Sequence, residues 1–579
     1  VNNKEIAAFL GQLADYLELS GANAFRVNAY RRSARAIENQ RINLAEKIDD
    51  LESIPGIGKG IAAMIRERVT TGQSSTLEEC KSKLPPELPL LLKIPGLGPK
   101  SIAQLYQKLG ITNIAELKQA ALEHRIRPLS GFGPKKEEKI LAGIETLSTR
   151  RNRYLLSEAL QVAIHVKKEL STHPLIKQIE YAGSVRRQKE IIKDLDFVIA
   201  THHPAEVQKA IITLPEVIDI INQGETKVTV RLSMNDLEID ADFRIVIPDS
   251  YASALHHFTG SSEHNIQIRR QAKQLGYKVN EYGITDDQTG ELLTFSDETT
   301  FFHHLQLPYI IPELREDRGE IAAALTNTLP KTMEQADYLG DLHTHTLYSD
   351  GAHSILQMVE AAKAKGYHFL AITDHSRSLK VASGLSIDDL YEQWEEIDRL
   401  NEALDDFTIL KGSEVDILSD GTLDYPDDIL AQLDIVIASV HTSMNQDEKT
   451  MTERMIRAMQ NPYVHIIGHP TGRVLLRRDP YAVNIDQLFQ AAKETGTILE
   501  LNANPLRLDL NDQHLKKAKD EYQLRFTINT DAHAIPQFDL IEYGIRTARR
   551  GWLEKEDILN FHPWSEAKQW LKTSTVSSK

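Results

Sequence analysis

The sequence predicts a multidomain protein: an α-helical front, an α+β centre and a distorted α/β barrel at the rear. Three observations carry that expectation. At 579 residues the chain is too long for one hydrophobic core. A glycine hairpin pattern recurs three times within the first 150 residues. Beyond residue 338, six apolar, strand-like runs end in His, Asp or Glu and alternate with helical stretches.

Composition excludes some classes. Hydrophobic residues make up 41% and charged residues 26%, and no apolar run approaches the roughly 18 residues a membrane helix needs. The opening "VNNKEIAAFLGQLADYLELS" reads as an amphipathic helix without a signal-peptide core. Cys80 is the single cysteine, so no internal disulfide forms and a reducing cytoplasm is expected. The net charge of −16 hides a gradient. Residues 1–153 hold 24 Lys and Arg against 17 Asp and Glu, residues 154–335 hold 18 against 27, and residues 336–579 hold 25 against 39. A basic front on an acidic chain is compatible with local nucleic-acid binding.

At the front, "IPGIGKGIA" (54–62), "IPGLGPKSIA" (94–103) and the looser "LSGFGPKKEEKI" (129–140) repeat apolar-(Pro)-Gly-apolar-Gly ahead of a helix. The glycine pairs Gly56/Gly58, Gly96/Gly98 and Gly131/Gly133 permit tight turns, and the helix starts after them offer free N–H groups to phosphates. Lys59, Lys100, Lys135 and Lys136 lie beside the turns. The pattern resembles the helix-hairpin-helix motif, which implies duplex grip through the backbone and not through base readout.

The centre holds "IEYAGSVRRQKEIIKDLDFVIA" (179–200), read as a strand, a Gly-Ser turn and a second strand carrying Asp194 and Asp196. Residues i and i+2 of a strand share a face, so two carboxylates meet one site and need cations between them. A later strand, "LEIDADFRIVI" (237–247), offers Asp240 or Asp242 as a third. Three acids around two ions suit phosphoryl transfer. The Gly-Ser and Asp-apolar-Asp order resembles the nucleotidyltransferase superfamily. With "HHFTGSSEHNIQIRRQAKQLGYKVNEYGI" (256–284) and the hairpins, residues 1–315 resemble a family X DNA polymerase.

That resemblance implies Asp194, Asp196 and Asp242 as catalytic, Mg²⁺- or Mn²⁺-binding carboxylates. It implies Gly183, Ser184 and Arg187 at the triphosphate, His257, Phe258, Gly260 and Asn265 around the nucleotide, and Arg269 toward the template. Arg26 and Tyr30 match positions at a gap's 5′-phosphate. His257 replaces the usual tyrosine beside the sugar. Met64 stands where a sugar-phosphate lyase carries its Schiff-base lysine, with Gly60 one turn before, so that activity is expected to be absent or placed elsewhere.

The rear opens on "DLHTHTLYSDG" (341–351), with Asp341, His343, His345 and Asp350 inside ten positions. "LAITDHS", "ILKGSEVDIL", "IVIASVHTS", "VHIIGHPTG" and "FTINTDAHA" follow. Clustered imidazoles and carboxylates at one barrel rim suit transition metals. The series resembles the polymerase and histidinol phosphatase (PHP) domain. It implies nine ligands for up to three Mn²⁺ or Zn²⁺ ions: His343, His345, Asp350, His375, Glu414, His441, His469, Asp531 and His533, with Glu414 bridging.

The expected organisation is residues 1–85 and 86–150 as helical hairpin regions, 151–250 as a nucleotidyltransferase palm, 251–315 as a thumb, 316–337 as a linker and 338–575 as the PHP barrel. The whole resembles a bacterial family X polymerase with a PHP nuclease. This implies gapped or primer-template DNA and dNTPs as partners, 3′→5′ exonuclease activity with 3′-phosphatase or abasic-site cutting beside it, a monomer, and a nucleoid-associated location in the cytoplasm. The alternatives are a PHP nuclease or phosphatase on a non-catalytic polymerase scaffold, a small-molecule phosphatase, and a polymerase with a purely structural barrel.

Overall fold

A computed structural model describes residues 3–38, 48, 51–52, 54, 57–94, 96–150, 153–235 and 237–572. The expected first helix runs Asn3–Leu19 and buries Ile6, Leu10, Leu13 and Leu17, a stripe at helical spacing. It packs on Ala24–Glu38, and its last residue, Leu19, enters the next helical core beside Leu88, Ile102 and Ile126. Helices Lys59–Thr71, Pro99–Leu109 and Pro134–Arg150 follow the three glycine turns. Gly96 and Gly131 have φ of 85° and 84°, a backbone region that favours glycine. Gly56 lies outside the described residues.

The second glycine of each pair differs from Gly96 and Gly131. Gly58 and Gly98 have φ of −87° and −91°, and Gly133 is likewise absent from the positive-φ residues. A Cβ at Gly58, Gly98 or Gly133 would meet no atom of the chain within 4 Å. The tight turn is made by the first glycine, because only there does the backbone enter the left-handed region. At the second position, glycine leaves open space at the helix start.

Among the described residues, the centre forms a five-stranded sheet in the order Gln178–Tyr181, Leu195–Ala200, Leu237–Val246, Lys227–Met234, Val217–Gln223. The strand Leu237–Val246 alternates between buried and half-exposed positions. Its odd-numbered residues Ile239, Ala241, Phe243 and Ile245 enter the core, and Phe243 stacks on Phe197 at 4.8 Å. Its even-numbered residues, Asp240 and Asp242 among them, face the other way. Asp194 sits one residue before its strand, not within it. Helices Tyr251–Thr259, Ser262–Gln274 and Glu298–His304 and a small antiparallel sheet continue the chain around Ile268, Phe301 and Phe302.

The rear contains seven parallel strands among the described residues, paired in chain order: Gly340–Asp341, Phe369–Ile372, Thr408–Asp416, Ile435–Ser439, Ile466–Ile467, Ile498–Asn502 and Phe526–Asn529. Helices such as Ile355–Ala364 and Ile387–Glu402 cover the outside. Thr344 pairs with Ala532 just past the first and last strands, so the sheet nearly closes on itself. Six strands match the polar-ended motifs. The seventh, "ILELN", ends in no histidine and escaped that pattern. No helix among the described residues is long and apolar enough to cross a membrane.

Candidate active sites

The first site grows from register. Asp196 pairs directly with Asp242 across parallel strands, which places the two carboxylates side by side. Asp240 is diverted to Arg231 at 2.8 Å, whereas Asp242 accepts from Thr229 Oγ1 at 2.6 Å and pairs with Lys227 Nζ at 2.6 Å. Burial, with Asp194 and Asp242 beside it, pushes Asp196 up to about 7. Burial and Asp242 also raise Asp194. Crowded carboxylates that resist ionisation are relieved by cations, so these three residues fit divalent ions.

Gly183 supports the cluster from below. Its φ is +58°, and a Cβ there would overlap Asp196 Oδ2, so only glycine allows this approach. A cleft of about 520 Å³ opens above, lined by Gly183, Ser184, Arg187, Asp194, Asp196, His257, Phe258, Gly260, Asn265 and Arg269. Every residue expected at the nucleotide therefore shares one cleft with two of the three acids. Asn265 donates to the His257 carbonyl at 2.8 Å, and Arg187 donates to the Thr259 carbonyl at 2.6 Å. Burial lowers the His257 pKa, which keeps the ring neutral near pH 7. Lys227, Thr229, Lys189 and Glu316 were missed from the sequence. The first two lie on a neighbouring strand, and only the register joins them to Asp242.

The second site gathers all nine expected ligands at the barrel rim. Glu414 is the hub, with His343 at 3.4 Å, His345 at 3.7 Å, His375 at 2.8 Å, His441 at 3.2 Å and His469 at 3.0 Å. Asp531 reaches His345 at 3.2 Å and His343 at 3.6 Å, and Asp350 reaches His533 at 3.1 Å and His375 at 3.5 Å. Among the described residues, seven of the nine (all but His469 and Asp531) form three overlapping groups able to hold a metal ion, two of which include Glu414. His343 Nε2, His345 Nε2 and Glu414 Oε2 are buried and crowd together without a well-aligned hydrogen bond among the described residues, a costly arrangement that cations satisfy. His469 and Asp531 hold φ of 28° and 55°, and such strained backbone is typical of functional sites.

Carboxylates behind the ring orient the imidazoles. Glu500 meets His343 Nδ1 at 2.8 Å and Asp416 meets His441 Nδ1 at 2.6 Å. Against the cost of burial, Glu414 and Asp416 push His441 up to about 10, while burial and the neighbouring His533 and His375 lower His345 to about 3. Asp341 turns inward to Thr530 and the His343 N–H, in support of the ring. Asp416 was legible as the i+2 neighbour of Glu414 on one strand; Glu500 was hidden in the run without histidine.

At the front, Gly58 and Gly98 are N-caps without a side chain, so the first-turn N–H groups of their helices are available to an anion. Gly133 stands at the same place before the third helix. It is exposed, and its carbonyl accepts from the Lys136 and Glu137 N–H groups at 3.0 and 3.1 Å. Lys59, Lys100, Lys135 and Arg26 are exposed. Lys136 is committed elsewhere: it donates to Ser101 Oγ at 3.0 Å and lies 4.3 Å from the Phe132 ring centre. Of the two lysines beside the Gly131/Gly133 turn, Lys135 is therefore the one left exposed. Tyr30 is buried and aims its hydroxyl at the Met64 sulfur, 3.7 Å away, so its contact with a 5′-phosphate requires that it leave this packing.

Fold and sites together define a protein with two candidate divalent-metal centres behind a front of helix-hairpin-helix turns. Family models match in the same order: a helix-hairpin-helix domain over residues 1–74, a SAM-like helix-hairpin-helix tandem over 88–146, a DNA polymerase beta thumb over 254–316 and a PHP domain over 341–504. The chain is 45% identical over 572 residues to the DNA polymerase/3′-5′ exonuclease PolX of Bacillus subtilis (strain 168), covering 99% of this chain and 100% of that protein. The chain is also 32% identical over 231 residues to a "probable phosphatase" of Thermoanaerobacter sp. (strain X514), a match that covers 38% of this chain and 89% of that protein. A "probable phosphatase" of Shewanella sp. (strain ANA-3) is 32% identical over 207 residues, 34% of this chain and 77% of that protein. The chain belongs to the PolX family, the family X DNA polymerases with a C-terminal PHP domain.

Proposed function

We propose that this chain is a DNA-directed DNA polymerase with 3′→5′ exonuclease activity, filling short gaps during DNA repair. The observation that carries the reading is the presence of two separate carboxylate centres on one chain, one framed by a nucleotide-sized cleft and one by a ring of imidazoles. Asp194, Asp196 and Asp242 would hold Mg²⁺ or Mn²⁺; the nine rim residues would hold up to three Mn²⁺ or Zn²⁺. When bound, such ions offset phosphate charge and acidify the attacking oxygen. Ser184 and Arg187 orient the triphosphate of an incoming dNTP, and Phe258, Asn265 and neutral His257 frame its sugar and base. In the barrel, Glu500 and Asp416 fix which imidazole nitrogen faces the centre. The hairpins grip gapped or primer-template DNA for both reactions. Removal of 3′-phosphates and cutting at abasic sites extend the same phosphoester chemistry. Met64, which cannot form an imine, leaves the lyase reaction out. The protein acts as a monomer in the bacterial cytoplasm, associated with the nucleoid.

The test uses a labelled one-nucleotide-gapped duplex with Mg²⁺ or Mn²⁺, with and without dNTPs. Asp194→Ala with Asp196→Ala is expected to abolish lengthening and keep shortening; His343→Ala with His345→Ala is expected to do the reverse. Shortening without any lengthening by the wild type would make the polymerase half a scaffold. Lengthening without shortening would make the barrel structural.

A further inference from the structure

We infer that the barrel completes the nucleotide site of the other half, with Arg550 as a positioning residue for nucleotide addition; this rests on the assignment of the triphosphate to Arg187. Arg187 donates through Nε to Glu316 Oε1 at 3.0 Å, and Glu316 lines the same cleft. A carboxylate in that wall competes with the triphosphate for the Arg187 charge and repels the phosphates directly. Its charge is shared with a second guanidinium. Arg550 Nη1 stands 3.0 Å from the same Oε1 and also donates to the Arg187 carbonyl. Arg550 closes the helix Ile541–Arg550 of the barrel half and is 4% exposed. Asp512 holds its far side, with Nη2 at 2.7 Å and Nε at 3.0 Å.

Two further arginines of the barrel grip the same loop. Arg546 donates to Gln188 at 2.8 Å and Arg473 pairs with Glu190 at 2.6 Å. The segment between the Gly183-Ser184 turn and Asp194 is thus set from the barrel side. Loss of the Arg550 charge would leave Glu316 largely buried with Arg187 as its remaining close guanidinium, and Arg187 would be drawn toward it and away from the triphosphate. A residue that merely stabilised the barrel would not behave in this way. Its removal would not be compensated by neutralising Glu316.

The experiment measures steady-state insertion into a one-nucleotide gap by the full-length protein at varied dNTP. The set is wild type, Arg187→Ala, Arg550→Gln, Glu316→Gln and the Glu316→Gln/Arg550→Gln pair, with exonuclease rate and thermal melting in parallel. Arg550→Gln is expected to raise the KM for dNTP about tenfold, the worth of one charge-assisted hydrogen bond. kcat, DNA affinity and the exonuclease rate are expected to stay within about twofold, and Glu316→Gln to restore most of the lost KM in the pair. An unchanged KM in Arg550→Gln, or a raised KM that Glu316→Gln does not restore, overturns the inference. An unchanged KM in Arg187→Ala instead overturns the triphosphate assignment beneath it.

Discussion

Asp196 concentrates the electrostatic cost of the polymerase centre. Its carboxyl is pushed up to about 7 by burial and by Asp194 and Asp242, against about 4 in an unfolded chain. The native state therefore binds more protons than the unfolded state between those values. By linkage, metal-free stability from this group falls as pH rises from about 4 to about 7 and stays low above it. Asp196→Asn removes the ionisation, so the metal-free variant should be more stable than wild type at pH 8, by roughly 2 kcal/mol after solvent screening. The same variant should match wild type near pH 4 and should add no nucleotides. Denaturant melts at the two pH values with chelator present check this. A wild type whose stability relative to Asp196→Asn is the same at both would contradict the shifted carboxyl. Mg²⁺ displaces that proton on binding, so its apparent affinity should also strengthen up to about pH 7.

At the scale of elements, the glycine hairpins and the barrel strands do their work through ends. Gly58 and Gly98 start helices with free N–H groups, and Lys59 and Lys100 stand exposed beside them, an arrangement suited to phosphates. Replacing Lys59, Lys100 and Lys135 with Ala should weaken gapped-duplex binding about equally for every sequence. The slope of log affinity against log salt should fall by nearly three, at about 0.9 per lost phosphate contact. Insertion at saturating DNA should be nearly unchanged. A titration series at several salt concentrations measures it, and an unaltered slope would remove the hairpins from the DNA interface. In the barrel, the strand Thr408–Asp416 carries both the hub Glu414 and the His441 partner Asp416, so one element sets a ligand and its orienting group together.

Across the whole molecule, the two halves meet at a mixed seam. Leu155 packs with Leu475 and Leu508, and beside them Arg473, itself 7% exposed, joins Glu190 to the Arg507 carbonyl at 2.9 Å. Arg318, from the connecting segment, reaches Asp512 at 3.0 Å. These contacts make the connector part of the joint. Arg473→Ala leaves Glu190 and two carbonyls without their shared donor and should cost about 1–3 kcal/mol. In calorimetry of the full-length protein, the expected result is a lower melting temperature with loosened coupling between the halves. No change in the melting profile would show that the seam contributes nothing to the fold.

Much of this protein was legible in order. The hairpins, the Gly183-Ser184 turn and the Asp194/Asp196 pair follow from patterns spanning a few residues, because turns, strand alternation and strand ends are local properties. The set of nine rim residues came from the resemblance to the PHP domain. One reading failed locally: Asp194 precedes its strand and does not lie within it. The pattern also did not show that Lys136 is held by Ser101 and Phe132, or that the first glycine, at Gly96 and Gly131, makes the turn. What stayed hidden was long-range. Glu500 meets His343 across 157 positions, and Arg550 meets Glu316 across 234. Periodicity carries no information about which distant charges become neighbours. Residue types and their spacing determined that two phosphate chemistries share the chain; packing alone decided that the arginines of one half hold the loop after Gly183-Ser184 in the other.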